Sequence, residues 1–145
     1  MATIDSIVVA TDGSESVSRA VGVALDVAER FDAAVHVLSV VDTGEIDSSP
    51  EQLRSELADA LERQAHEALA AVDDRADRPV TTAIRKGRPA DEIVAYAREE
   101  ELDAVAVGTR GRHGENRLLV GSVAERVVRT APVPVLTVRQ LDAEE

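Results

Sequence analysis

The 145-residue chain has no cysteine and no tryptophan. Without cysteine, disulfide frameworks and thiol catalysis are excluded. Lysine is reduced to Lys86 among sixteen basic residues, and the ring-bearing aromatics are only Phe31 and Tyr96. No apolar run approaches the ~20 residues of a membrane-spanning helix. The start, Met1-Ala2-Thr3-Ile4-Asp5, lacks a basic segment followed by a hydrophobic one. No secretory signal is therefore expected, and a cytoplasmic location follows by default.

What the chain has in abundance is negative charge, with 28 acidic residues and a net charge of −12. Phosphate backbones need a basic face, so general nucleic-acid binding is not expected. An acidic, lysine-poor, aromatic-poor chain fits a high-salt cytoplasm, such as that of a halophilic archaeon. Molar salt shortens the Debye length to about 3 Å, and dense like charge then repels less. The alternative is an ordinary acidic protein from a GC-rich genome. Apolar residues make up 44% of the chain, enough for a globular core. One domain over residues 1–139 is expected, followed by a short acidic tail over 140–145.

Periodicity gives the order of elements. A nearly continuous apolar run at 4–10 predicts a first strand buried on both faces. Val17, Ala20, Val21, Ala24, Leu25, Ala28 and Phe31 recur at helical spacing and predict a first helix over 15–31. Residues 34–41 read as a second strand and 42–48 as a polar loop. Ser49-Pro50-Glu51-Gln52 has the form of a capping box with proline at the first helical position. It predicts a second helix over 50–72, with Leu53, Leu57, Leu61, Leu69 and Val72 on its buried face. A third strand is expected over 79–84, at an edge because of Pro79 and its threonines. A helix over 89–100 follows, then a fourth strand over 103–107. Ser122-Val123-Ala124-Glu125 reads as a second capping box, opening a helix to about 130 with Val123, Val127 and Val128 inward. Residues 132–138 complete the pattern as a fifth strand.

Alternation of strands and helices implies a Rossmann-like α/β fold, with one five-stranded parallel sheet, helices on both faces and right-handed crossovers. Two loops have unusual composition. One carries Asp12 and Gly13 after the first strand; the other runs from Gly108 to Ser122 after the fourth. Glycines let the backbone approach a ligand, and a helix start offers free N–H groups to an anion. Arg110, Arg112 and Arg117 add cationic forks suited to phosphate. If both loops line one site, strands one and four are neighbours and the order is 3-2-1-4-5, with the ligand at the reversal point. Asp12 there suits a ribose hydroxyl or a metal; it equally suits a helix cap or an Asx turn. His36, inside a strand, is expected to be a satisfied structural residue, and His66, on a helix among polar residues, a surface residue.

At these positions the chain resembles the universal stress protein family. The resemblance is carried by Gly108-x2-Gly111-x9-Gly121-Ser122 and by Ile7-Val8-Val9-Ala10-Thr11-Asp12-Gly13-Ser14. Val40-Val41-Asp42, Gly87-x-Pro89 and Pro132-Val133-Pro134-Val135-Leu136 add to it, and together they span nearly the whole chain. The resemblance implies an ATP-binding, adenine nucleotide alpha hydrolase-like fold. Ala10, Thr11, Val40 and Val41 would lie about the adenine and Asp12 would meet the ribose. Gly108, Arg110, Gly111, Gly121 and Ser122 would hold the phosphates, with Val123 close by. It also implies ATP as ligand, often with a divalent cation such as Mg²⁺ or Mn²⁺. A homodimer built along the last strand is implied as well. Residues 133–138, including Val133 and Val138, would otherwise form an exposed apolar edge.

No Gly-x4-Gly-Lys-Ser/Thr loop is present, and no paired arrangement makes Asp12, His113 or Glu115 a defined base. The expectation is a nucleotide-dependent stress-response or signalling module with at most slow ATP hydrolysis. A true ATP-using enzyme and a dimeric adaptor that binds no nucleotide are the alternatives.

Overall fold

The computed structural model describes residues 3–109 and 121–140. Five strands, β1 (Ser6–Ala10), β2 (Ala34–Asp42), β3 (Val80–Gly87), β4 (Ala104–Thr109) and β5 (Val135–Arg139), form one parallel sheet in the order β3-β2-β1-β4-β5. The predicted order holds, and its reversal falls between β1 and β4. Ile7, Val8 and Val9 pair with Val35, His36 and Val37 on one side and with Ala104, Val105 and Ala106 on the other.

Helices α1 (Ser18–Phe31), α2 (Thr43–Asp47), α3 (Arg54–Arg75), α4 (Pro89–Glu99) and α5 (Ser122–Thr130) connect the strands. Side chains alternate across a strand, so each central strand feeds two cores. Ile7, Val9, Val35 and Val37 meet Val21 and Ala24 of α1 and Leu69 and Val72 of α3. Val8, Leu38, Val105 and Val107 meet Ile93 and Ala97 of α4 and Val127 of α5. The small residues Ala20, Ala24 and Ala28 form the buried stripe of α1 and let it lie close on the sheet.

Several local expectations are corrected. Residues 42–48 are not an open loop: Asp42 Oδ1 accepts from Gly44 N at 3.0 Å and Glu45 N at 3.3 Å and caps α2. Ser49 does not cap α3. Its hydroxyl donates to the Glu45 carbonyl at 2.9 Å, and a single 3₁₀ turn at Glu51–Leu53 leads into α3. Leu53 is exposed; burial along α3 is deepest at Ala65, Ala68, Leu69 and Val72. The capping box at Ser122 does not form either. Gly121 is the extended N-cap residue, Ser122 is already helical, and the Glu125 carboxylate turns forward to Arg129. Ala124 and Val127 face inward, whereas Val123 and Val128 are exposed.

His36 is structural, as expected. Its Nδ1 lies 2.7 Å from the Tyr96 hydroxyl, with the two rings edge to face. Arg85 stands over the Tyr96 ring, 5.2 Å from its centre, and its guanidinium pairs with Glu99 at 2.6 Å. Desolvation holds the His36 pKa below its ordinary value, partly opposed by the charge of Glu100. Burial and Glu100 push the Tyr96 phenol up, with Arg85 acting against them.

Candidate functional site

The ends of β1, β2 and β4 open into one cavity of about 900 Å³. That volume is in the range of small-ligand sites. Its floor is Ala10, Thr11 and Asp12 from the end of β1, Leu38, Ser39 and Val40 from β2, and Val107, Gly108 and Thr109 from β4. Leu61, Gln64 and Ala65 of α3 wall one side. Pro89 and Ile93 of α4 wall another, and Gly121, Ser122, Val123 and Ala124 at the start of α5 complete the rim. The crevice thus sits beyond the carboxyl ends of the strands at the topological reversal, where open α/β sheets bind ligands.

The turn after β1 is fixed by hydrogen bonds to its own side chains and to its neighbours. Thr11 N donates to the Leu38 carbonyl at 2.9 Å, extending the ladder with β2 by one residue. Thr11 Oγ1 accepts from Gly13 N at 3.1 Å, and Asp12 Oδ1 accepts from Ser14 N at 2.8 Å. Asp12 therefore closes an Asx turn, while its Oδ2 bonds no described residue and the residue lines the cavity. Gln64 Nε2 donates to the Asp12 carbonyl at 2.9 Å and ties α3 to this turn. Gly13 has φ +80°, and a Cβ there would lie 3.0 Å from Ala68 Cβ. Both the left-handed backbone and the close approach of α3 require glycine.

On the opposite rim, the first hydrogen bond inside α5 runs from Glu125 N to the Gly121 carbonyl. The N–H groups of Ser122, Val123 and Ala124 have no helical acceptor, by the geometry of any helix start. They lie at the positive end of the α5 dipole, on the wall of the cavity. Gly108 lies under the 3₁₀ turn Glu15–Val17 that leads into α1: a Cβ there would stand 3.2 Å from the Ser16 carbonyl oxygen.

Ala10, Thr11, Asp12, Val40, Gly108, Gly121, Ser122 and Val123 are thus brought to one cavity. Val41 is buried beside the wall, its side chain pointing to the opposite face of β2 from that of Val40. Arg110 and Gly111, with His113, Glu115 and the remaining loop arginines, lie outside the described residues. Gln64 and Ser39 were not singled out from the sequence, and Leu61 and Ile93 read there only as core positions of their helices. Gln64 reads there as one more polar residue on the solvent side of a helix, and Ser39 as an ordinary strand serine. Among the described residues no group of three or more His, Asp or Glu side chains is gathered to hold a metal ion. No described helix is long and apolar enough to cross a membrane.

The model of the universal stress protein family matches residues 3–139. A universal stress protein of Methanocaldococcus jannaschii is 38% identical over 138 residues, covering 92% of this chain and 81% of its own length. The universal stress protein UspA of Lactobacillus plantarum superposes with a TM-score of 0.77 at 30% identity, covering 96% of this chain and all of that one. Another universal stress protein, solved in complex with cAMP, gives a TM-score of 0.70 at 25% identity over 97% of this chain and all of that one.

Proposed function

The chain belongs to the universal stress protein family, and from that premise we propose that it is an ATP-binding stress-response module. The observation that carries the reading is the single cavity joining the Asp12 carboxylate to the N-terminus of α5 at Gly121 and Ser122. Ribose hydroxyls are good donors to a carboxylate such as Asp12 Oδ2. Phosphate oxygens suit the unpaired N–H groups at the start of α5, with Arg110 and Gly111 on the same side in sequence. The apolar surfaces of Val40, Leu61 and Ile93 suit the faces of a base. A divalent cation, Mg²⁺ or Mn²⁺, would be held largely by the phosphates.

Binding is favoured over turnover. Asp12, Asp42 and Glu45 are the acids among the described lining residues, and none of their carboxylates is hydrogen-bonded to a second described side chain that would orient it as a base. No oriented base is needed for a protein whose nucleotide state is read by a partner. The complex of a relative with cAMP supports a cyclic adenine nucleotide as the second reading. We also assign the protein to a homodimer along the free edge of β5, and to a high-salt cytoplasm on the strength of its net charge of −12.

The test is calorimetry of the purified protein with ATP, ADP, AMP, cAMP and GTP, together with mass spectrometry of any co-purifying nucleotide. Saturable binding of ATP in preference to GTP is expected, with little or no phosphate release. Saturation by cAMP alone would shift the assignment to the second reading. Absence of binding by all of the adenine nucleotides overturns the proposal.

A further inference from the structure

Ser39 is the polar residue of the cavity wall whose burial is hardest to explain by folding alone. It is 2% exposed, yet its hydroxyl makes no hydrogen bond to any described residue. Among the described residues no sealed side-chain oxygen or nitrogen lacks a partner. The accessible remnant of Ser39 is therefore its hydroxyl, and what it reaches is the cavity. With no described protein partner, that hydroxyl is open to a hydrogen bond from a molecule in the cavity.

The position of Ser39 selects the part of the ligand it meets. It lies on β2 one residue beyond Leu38, whose carbonyl accepts from Thr11 N. Strand alternation puts it on the face of Val37, toward α3 and the wall formed by Leu61 and Gln64. The phosphate end of the crevice is at β4, with β1 between β4 and β2. Two strand spacings amount to roughly 10 Å, about the reach of a nucleotide from phosphate to base. A hydroxyl both donates and accepts, so it can pair with an exocyclic amino group or a ring nitrogen. Gln64 stands near the same end with its Nε2 committed to Asp12, which leaves Oε1 as an acceptor.

We infer that Ser39 is a specificity-determining residue of this cavity, its hydroxyl reading the polar edge of the purine at the 6-amino group and N7. The inference deepens the nucleotide reading above and rests on it. It predicts that part of the preference for adenine over guanine resides in one side chain of β2.

The experiment is a cycle of protein and ligand changes read by calorimetry. Wild type, Ser39→Ala and the isosteric Ser39→Cys are titrated with ATP, GTP, 7-deaza-ATP and purine riboside triphosphate. Thermal melts establish that each variant is folded. Loss of one neutral hydrogen bond predicts about fivefold weaker ATP binding in both variants, with GTP affected less. Removing N7 or the amino group should cost the variants less than it costs wild type, since the partner is already gone. Unchanged ATP affinity in a folded variant, or losses that add independently for both analogues, overturns the role of Ser39 alone. Failure of wild type to bind any adenine nucleotide overturns this role together with the nucleotide reading.

Discussion

Gln64 Nε2 and the Asp12 carbonyl oxygen are 2.9 Å apart, so the middle of α3 holds the turn that carries the ribose-binding candidate. Gln64 is itself exposed and contributes little to the core. Gln64→Leu should weaken ATP binding about fivefold while changing stability by about 1 kcal/mol or less. Calorimetry and a chemical melt measured on the same preparation check both halves.

Gly108 and Gly121 lie on the same cavity but should respond differently to a side chain. A Cβ at Gly121 would have no described heavy atom within 4 Å, and its φ of −62° suits any residue. Gly121→Val should keep the fold and abolish ATP binding, because its new atoms project from the cavity rim. A Cβ at Gly108 would press on the Ser16 carbonyl at 3.2 Å and the Val17 Cα at 3.3 Å. Gly108→Ala should destabilise by about 1–3 kcal/mol, read from the shift in denaturant midpoint. A Gly121→Val protein that binds ATP normally would refute the site.

His36 makes stability depend on pH. The unfolded chain binds the imidazole proton near the ordinary pKa of about 6.5, whereas desolvation lowers the value in the folded state. Above that range both states are neutral and nothing is lost. As pH falls through it, the unfolded state takes up protons first and stability declines. Tyr96→Phe should cost about 1 kcal/mol at pH 8 by removing the 2.7 Å hydrogen bond. His36→Gln should flatten the fall in melting temperature between pH 7 and pH 5. An identical fall in that variant would exclude His36 as its source.

Net charge makes stability depend on salt. With a net charge of −12, self-repulsion is strongest at low ionic strength. Raising KCl from about 0.1 to about 2 M should raise the melting temperature and sharpen the transition, since screening then acts within about 3 Å. A melt that is sharpest at the low-salt end contradicts adaptation to high salt.

The proposed dimer edge can be tested without touching the cavity. Leu136 of β5 and Val128 of α5 are 37% and 52% exposed, and neither lines the cavity. The double variant Leu136→Lys, Val128→Glu should sediment as a monomer with ATP affinity retained. Wild type sedimenting as a monomer at micromolar concentration would refute the dimer.

The sheet order was legible on the condition that two unusual loops, at Asp12 and at Gly108, line one site, which makes β1 and β4 neighbours. That order leaves β3 and β5 at the edges, consistent with Pro79 and Pro132. Helix starts were less legible, because capping patterns compete with nearer partners. Asp42 captures Gly44 and Glu45 first, and the α2 turn it creates consumes Ser49. The leucine pattern of α3 also outruns the surface it packs on, which leaves Leu53 in solvent. Gln64 and Ser39 had no local signature at all. Their relation to the cavity depends on how far α3 slides along β2, a tertiary quantity that periodicity does not encode.

Arg19, at the first turn of α1, braces the outer side of the crevice. Its backbone N–H donates to Gln140 Oε1 and its guanidinium to the Arg139 carbonyl, both at 2.9 Å, while Gln140 N reaches the Thr109 carbonyl at 3.2 Å. The ends of β4 and β5 are therefore fastened to the helix that follows the Asp12 turn before any ligand arrives. The entropy of aligning these strand ends is spent during folding, so a ligand bound beyond the ends of β1 and β4 would not have to spend binding energy on it.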